Sequence, residues 1–375
     1  MKTSALMRPG LFERICTLPG IASVLLCGIA IIQLHGCGED YPPIPTYPLI
    51  ISSIFPDTII TDNDDYLALP VSMIQLGDEL LVSDQGRNEI IRYSLDGGFL
   101  GTIGRTGSGP GELNSIYHLR DDRQGTGFWV RAFAGGRLIH FNVHGEYISS
   151  FRPLFSLNSF DVLDDGSLVI TCGPGVDHGT LVRLSDEGEV IWEASPTLEI
   201  AGTSGFIPAT NASGVAVLDG VIWQFYTSFN VIRTFSSDGV MLKEFSLREE
   251  YVATLHEQNV DKHLELAGGN LRTGPLMMYM NVREARGSIW LSTQVSAVLP
   301  EELRYRRYFY EINASGSIEN RYYIERSPID GLFADFMPVI RGGKQYLVIL
   351  TAHGDVPPCL VWCETGPIES PLPER

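Results

Sequence analysis

The feature that most constrains this chain is a short β-rich pattern that recurs along most of its length. Each copy contains short runs rich in Val, Ile, Phe and Tyr, separated by polar turns. The clearest copy extends from Glu79 to Gly104 and includes Asp96-Gly97, a dipeptide typical of hairpin turns because these turns need positive φ. The glycines that mark the turns of five copies are Gly98, Gly145, Gly188, Gly239 and Gly316. Such a pattern predicts a fold made of similar, repeated sheets.

The spacing of these glycines gives the size of the repeated unit. The first four are 47, 43 and 51 residues apart, and the fifth follows after 77. Units of roughly 40–50 residues with four strands are typical of β-propeller blades. We therefore predict an all-β fold, a six-bladed β-propeller with four-stranded blades and one helical insertion, over residues 49–370. Because an open edge invites aggregation, residues 50–55 are expected to supply the strand that closes the last blade.

The first interruption of the repeat, residues 247–271, has a helical composition, and Leu255, His256 and His263 can lie on one helix face. The simplest interpretation is a helix packed over one face of the ring. A lid over a central pocket is the alternative, since long excursions between strands are often functional, and it makes His256 a candidate ligand-binding residue. The two histidines are ~10 Å apart along the axis, too far to bind one metal ion.

The second interruption, residues 295–307, is charged and contains Arg304, Arg306 and Arg307. A solvated loop is the simplest interpretation. Because arginine binds carboxylate and phosphate groups through paired hydrogen bonds, these three residues are also candidates for binding an anionic ligand.

One copy of the pattern resembles a known repeat. The stretch from Leu80 to Leu113 contains Asp84, Asn88 and the loop Gly-Ser-Gly-Pro-Gly-Glu-Leu at 107–113, and it is similar to an NHL repeat with its inter-blade loop. This loop lacks the Lys and the Ser or Thr of a phosphate-binding P-loop, so we interpret it as structural. The later copies keep the turns and lose the loop. The whole chain resembles the divergent six-bladed propeller lipoproteins of bacteria, which implies a domain that binds partners or carbohydrate-like ligands, or in a minority of cases an enzyme.

The N-terminal region predicts export. Lys2, Arg8 and Arg14 precede a largely apolar stretch at 21–34, which is the organisation of a signal peptide, here residues 1–36. The sequence Leu34-His35-Gly36-Cys37 resembles a bacterial lipobox and implies acylation of Cys37. An uncleaved membrane anchor with a chance cysteine is the alternative.

The segment after the lipobox predicts a tether. Residues 37–48 are Pro-rich and are expected to form a stiff, extended connection between the membrane and the propeller. Gly38 after the cysteine resembles lipoproteins sorted to the outer membrane. We therefore expect a lipid-anchored protein of the bacterial cell envelope, at the outer membrane or facing the periplasm.

Three cysteines lie within the predicted propeller, Cys172, Cys359 and Cys363. On one extended strand, residues four apart are separated by ~13 Å, beyond the reach of a disulfide. The last two cysteines can pair only across a turn, or one of them can meet Cys172, and buried thiols are the alternative. The sequence leaves this choice open.

Charge and motifs limit the classes of function. The net charge is −18, which repels a phosphate backbone, so we expect no nucleic-acid partner. The sequence has no nucleophile motif and no recognisable acid–base pair, and catalytic residues stay unassigned. Residues 62–65, Asp-Asn-Asp-Asp, lack the Gly and Glu of an EF-hand, and no metal or cofactor is predicted.

Two hypotheses of function follow. The leading one is a non-catalytic binding or scaffold module, expected to be monomeric, that binds a protein, peptide or glycan ligand and meets the membrane through its lipid anchor. The alternative is a metal-dependent hydrolase or lyase with its site in the central channel of the propeller, for which a calcium ion is a possible cofactor.

Overall fold

The strands of this protein form six sheets arranged as the blades of a ring. The computed structural model describes residues 46–48, 50–54, 67–132, 136–173, 179–198, 211–267, 278–293, 306–325, 332–352 and 357–365. All of them belong to the unit Ile44–Arg375. Five sheets have four strands and one has five. The first strand of each blade contacts the first strand of the next, from β3 (Pro70–Leu76) around the ring to β23 (Leu332–Arg341) and back to β3. The predicted six-bladed β-propeller is confirmed.

Each of the first four blades is an antiparallel meander of consecutive strands. Blade 1 contains β3, β4 (Glu79–Asp84), β5 (Glu89–Ser94) and β6 (Phe99–Ile103), and blade 2 contains β7 (Ile116–Asp121), β8 (Gly127–Ala132), β9 (Arg137–Asn142) and β10 (Tyr147–Phe151). Blade 3 contains β11 (Leu157–Val162), β12 (Leu168–Cys172), β13 (Leu181–Leu184) and β14 (Val190–Ala194), and blade 4 contains β15 (Ser213–Leu218), β16 (Val221–Tyr226), β17 (Ile232–Phe235) and β18 (Met241–Phe245).

The last two blades each take one strand from the N-terminal side of the chain. Blade 5 contains β19 (Tyr279–Ala285), β20 (Ser288–Thr293), β21 (Arg306–Ile312), β22 (Ile318–Glu325) and, parallel to β22, β1 (Thr46–Pro48). Blade 6 contains β23, β24 (Lys344–Ala352), β25 (Leu360–Glu364) and, antiparallel to β25, β2 (Ile50–Ile54). The predicted closing strand is therefore present as β2. The additional strand β1 is formed by the last three residues of the predicted tether.

The turn between the third and fourth strands has the same design in five blades. In each blade a glycine with φ between 80° and 91° donates its N–H to the carbonyl of the residue three positions before it, at 2.9–3.0 Å. That residue is always Ser or Asn, and its side-chain oxygen accepts further backbone N–H groups of the turn. The pairs are Ser94 with Gly97, Asn142 with Gly145, Ser185 with Gly188, Ser236 with Gly239 and Asn313 with Gly316. In blade 1 the turn glycine is thus Gly97, and the prediction of Gly98 was off by one residue.

The core lies between neighbouring blades. Four tryptophans, Trp129, Trp223, Trp290 and Trp362, are almost fully buried on the strands of blades 2, 4, 5 and 6. The thiols of Cys359 and Cys363 are buried and not oxidised to a disulfide. The thiol of Cys172 donates to the carbonyl of Gly179. Burial raises the pKa of Cys172 and of Cys363 to about 12, so these thiols stay protonated and unreactive.

The predicted helical insertion is present as helix α1, Glu250–Ala267, between blades 4 and 5. Tyr251, Val252 and Leu255 are buried in a cluster with apolar side chains of both blades. Glu249 accepts the N–H of Tyr251 at 2.7 Å and forms an ion pair with Arg321 of β22. The helix is therefore fixed to the ring at its N-terminal end. Within the described residues, no helix is long and apolar enough to cross a membrane.

Candidate ligand-binding funnel

The two faces of the ring differ in the length of their connections. At the face where the first strand of each blade ends, which we call the hairpin face, the strands are joined by short turns such as 77–78, 219–220, 286–287 and 342–343. At the opposite face, which we call the loop face, the connections include 195–212, 246–278 and 294–305. Long connections on a rigid scaffold commonly carry binding residues, so the loop face is the candidate binding face.

A cavity of about 480 Å³ lies in the ring at the loop face, and we call it the funnel. Its volume is in the range of ligand sites, roughly 300–1,000 Å³. The funnel is lined by the beginnings of four first strands, β7, β11, β15 and β19, and by the ends of the second strands that follow some of them. Polar groups on these first strands include Tyr117, His118, Asn158, Ser159, Ser213 and Asn281.

The charged side chains of the funnel are basic. Arg120 and Arg131 line it, and none of the described lining residues is Asp or Glu. Arg131 donates to the carbonyl of Leu157 and, at 2.7 Å, to that of Asn158, and its guanidinium lies 5.6 Å from the centre of the Tyr117 ring. These bonds hold the arginine side chain against the neighbouring blade, so its charge has a fixed position.

His118 contributes a neutral ring to the funnel wall. The imidazole packs edge-on against Tyr117, with 4.8 Å between ring centres. Its Nδ1 atom is buried and has no hydrogen-bond partner among the described residues. Burial holds the pKa of His118 well below its usual value, and the positive charges of Arg120, Arg131 and Arg283 lower it further. The ring is therefore uncharged near neutral pH.

The floor of the funnel is closed by charges that neutralise one another. Arg283 of β19 pairs with Asp335 of β23, and Asn281 donates to the same carboxylate at 2.9 Å. Asp335 also accepts the N–H of Met73 in β3 at 2.8 Å. One carboxylate therefore ties together the first strands of blades 5, 6 and 1.

A second carboxylate, Asp161, acts in the same way between blades 3 and 4. It accepts the N–H of Val217 at 2.8 Å and lies 3.3 Å from the guanidinium of Arg123. Beyond it, toward the hairpin face, a cavity of about 340 Å³ is lined by both acidic and basic side chains. Arg120 lines both cavities. The acidic groups of the channel thus lie below the funnel and are engaged with arginine and backbone groups.

His256, which was predicted as a ligand-binding residue, lies outside the funnel lining. It is on α1, where its Nδ1 accepts the N–H of Asn230 at 3.2 Å and its ring packs edge-on against Phe229. Burial lowers the pKa of His256, so the ring is neutral. These contacts fix the helix to blade 4. A role in ligand binding stays a prediction for this residue.

Two of the three predicted arginines are on a strand and not in a loop. Arg306 and Arg307 begin β21, so the prediction of a charged loop through residue 307 was wrong at its C-terminal end. Arg306 lies 4.5 Å from the centre of the Tyr323 ring. Arg307 lies 4.1 Å from the Phe333 ring and donates to the carbonyl of Thr293, and burial lowers its pKa to about 10. Neither is among the described funnel residues, and Arg304 and Cys37 lie outside the part of the chain that the structure describes.

The funnel residues escaped sequence reasoning because they are far apart along the chain. The available signal was weak: polar residues at the start of strands that otherwise read as buried, as in Ile116-Tyr117-His118 and Leu157-Asn158-Ser159. Alignment of the blades on their turn glycines would have placed these positions at the centre of the ring. Among the described residues, no three His, Cys, Asp or Glu side chains are grouped as metal ligands would be.

The fold and the funnel define a class of protein, the six-bladed β-propeller with a central cavity at its loop face. The sequence matches no protein-family model and no curated protein. Among solved structures it is similar to a Bacteroides fragilis protein that is inferred to be exported. The two share 13% identity over 87% of this chain and 100% of that chain, with a TM-score of 0.54. It is also similar to a member of the DUF4221 family from Bacteroides vulgatus, with 11% identity, coverage of 84% and 97%, and a TM-score of 0.53. These similarities show the fold.

Proposed function

We propose that this chain is an exported, lipid-anchored binding module that holds a protein, peptide or glycan ligand in the funnel. The observation that carries the proposal is a ligand-sized cavity at the loop face, the face at which the longest inter-strand segments begin and end. Export is supported by the signal-peptide pattern at 1–36 and is in keeping with the description of the Bacteroides fragilis protein. The channel carboxylates Asp161 and Asp335 bind backbone and arginine groups of neighbouring blades, which favours binding over catalysis as the function.

The proposal includes an NHL-type relationship for blade 1. Glu112 accepts the N–H of Gly109 at 2.8 Å, and Leu113 donates to the carbonyl of Arg105 at 2.8 Å. Hydrogen bonding to the Gly109 backbone lowers the pKa of Glu112, with a smaller contribution from Arg105. The loop uses its own backbone groups to fold on itself, which supports a structural inter-blade loop.

Two tyrosines of equal exposure provide the test of the funnel. Tyr117 at the funnel and Tyr147 on the outer strand β10 are each 39% exposed. We expect Tyr117→Ala to weaken ligand binding at least about tenfold, the effect of losing one aromatic contact, and Tyr147→Ala to leave it unchanged. Isothermal titration with the purified full-length protein, against acidic and neutral oligosaccharides and extended peptides, makes the measurement. Equal effects of the two substitutions would place the site elsewhere.

The lipid anchor has its own test. Cys37→Ala removes the acylation site and is expected to release the protein from the membrane fraction of expressing cells. Unchanged fractionation would reject the anchor and favour the uncleaved signal segment.

The alternative function, a metal-dependent hydrolase or lyase, requires a bound metal such as calcium. Elemental analysis of the purified protein decides it, because a stoichiometric metal would support an enzyme.

A further inference from the structure

The funnel is a basic site in an acidic protein. The chain carries a net charge of −18, yet the charged groups at the funnel are Arg120 and Arg131, and its described lining contains no Asp or Glu. The nearest channel carboxylates lie at the floor: Asp161 is 3.3 Å from Arg123 and 3.9 Å from Arg120, and Asp335 pairs with Arg283. A cleft lined by one sign of charge concentrates the field and attracts ligands of the opposite sign. The funnel therefore favours an anionic group.

The cations of the funnel are fixed before a ligand arrives. Arg131 is held by two backbone carbonyls of β11, and Arg120 donates to the carbonyls of Leu119 at 2.8 Å and Val282 at 3.3 Å. A ligand that enters does not have to order these side chains, which lowers the entropic cost of binding. These two fixed guanidinium groups suit a carboxylate, which accepts hydrogen bonds from several directions.

The remaining lining mixes apolar side chains such as Leu157, Phe225 and Val282 with polar groups, and its polar groups suit a sugar. Asn158, Ser159 and Ser213 supply amide and hydroxyl groups, which match the hydroxyls of a sugar ring. Tyr117 adds a partly exposed aromatic ring, apolar in its body and polar at its tip, which can pack against the C–H face of a sugar. Peptides are usually bound along a strand edge or in an elongated apolar groove. The funnel is instead a well bounded by the beginnings of four strands.

We infer that the funnel binds an acidic sugar, with the carboxylate of a uronic acid residue against Arg120 and Arg131. This inference rests on the proposed function, since it names the ligand class of the same site. The contribution of charge and the contribution of the funnel can be separated by experiment.

The first experiment compares one oligosaccharide with and without its charge. Trigalacturonate and its methyl ester have the same rings and differ in the carboxylates. Titrated into the full-length protein in detergent, the acid is expected to bind at least about tenfold more tightly than the ester. Raising the salt concentration from about 0.05 M to about 0.5 M should weaken binding of the acid and leave that of the ester unchanged, because salt screens charge.

A substitution that adds a carboxylate to the funnel tests the site. Asn158→Asp places a negative charge beside Arg131, which already bonds the backbone of this residue. Gln124→Glu makes the same amide-to-carboxylate change at an exposed turn of the hairpin face and is the control. The first variant should lose the preference for the acid, and the second should retain it. Thermal unfolding of both variants verifies that they are folded.

Three results would overturn the inference. If the acid and the ester bind equally and Tyr117→Ala weakens both, the funnel binds ligands but does not select charge, and the proposed function survives. If neither sugar binds while a peptide binds in a Tyr117-dependent manner, the ligand is a peptide. If the acid binds and Asn158→Asp and Gln124→Glu behave alike, the acid binds outside the funnel.

Discussion

At the scale of single residues, the turn glycines have a second function beyond positive φ. A Cβ atom built on Gly145 would lie 2.6 Å from Cγ1 of Ile103, one on Gly239 would lie 2.8 Å from Cδ2 of Trp192, and one on Gly188 would overlap the ring of Phe151. In each case the neighbour belongs to the outermost strand of the preceding blade. The glycine therefore lets adjacent blades approach closely. Glycine recurs at this turn because the same contact recurs between each of these pairs of blades.

The substitution Gly188→Ala tests this packing. The change places a side chain at φ +91° and forces it against Phe151. We expect the free energy of unfolding to fall by about 1–2 kcal/mol because of the backbone conformation and by a further ~1–3 kcal/mol because of overpacking. Gly220→Ala is the control, because Gly220 has φ +73° and open space where the Cβ would lie. Chemical denaturation should show the larger loss for Gly188→Ala, and equal losses would refute the contact.

At the scale of elements, the ring depends on a strand that comes from far away in the sequence. Strand β2 completes blade 6 by pairing Ile51 with Cys363, whereas β1 adds a fifth strand to a blade that already has four. Both lie next to each other in the chain, yet they belong to different blades. Closure of the ring should therefore depend on β2 much more than on β1.

Replacing each strand in turn by a Gly/Ser segment of equal length separates the contribution of β2 from that of β1. We expect replacement of all five residues of Ile50–Ile54 to lower the free energy of unfolding by about 2.5–5 kcal/mol, given ~0.5–1 kcal/mol for each strand residue, and to expose the amides of β25 to hydrogen exchange. Replacement of Thr46–Pro48 should leave β25 protected. Protection of β25 in both variants would mean that the ring is closed without β2.

The sequence predicted elements whose signals are local. The turn glycines, the closing strand expected at 50–55 and the helix expected within 247–271 each have a pattern within a short window, and each was found, with the glycine of blade 1 off by one residue. The funnel has no such pattern, because His118, Asn158, Ser213 and Asn281 come from four blades and meet only in the folded ring. Arg306 was assigned to a loop because charged residues are not typical of strands, although it is the first residue of β21. The densest run of arginines in the sequence did not identify the basic residues of the funnel, Arg120 and Arg131.

At the scale of the whole molecule, buried histidines link stability to pH. Burial lowers the pKa of His118, His140, His256 and His263 below the ordinary value of 6.5. The unfolded chain therefore binds more protons than the folded one as the pH falls through about 6.5, and folding becomes less favourable. Burial raises the pKa of Asp121 and Glu284, which has the opposite effect at lower pH, where carboxylates titrate.

Thermal unfolding at two pH values measures this linkage. The midpoint temperature should be lower at pH 5.5 than at pH 7.5, and His256→Gln should reduce the difference because one titrating ring is gone. Gln258→Ala, on the same helix, leaves the number of histidines unchanged and serves as the control. A midpoint that is constant or rises toward pH 5.5 would contradict the burial of these rings.

Hydrogen exchange with and without trigalacturonate tests directly whether the ring of six blades binds an acidic sugar in the funnel. We expect slower exchange in the beginnings of β7, β11, β15 and β19, which surround the funnel, and unchanged exchange in the outer strands β6, β10, β14 and β18. Unchanged exchange around the funnel, or slower exchange confined to the outer strands, would contradict binding in the funnel.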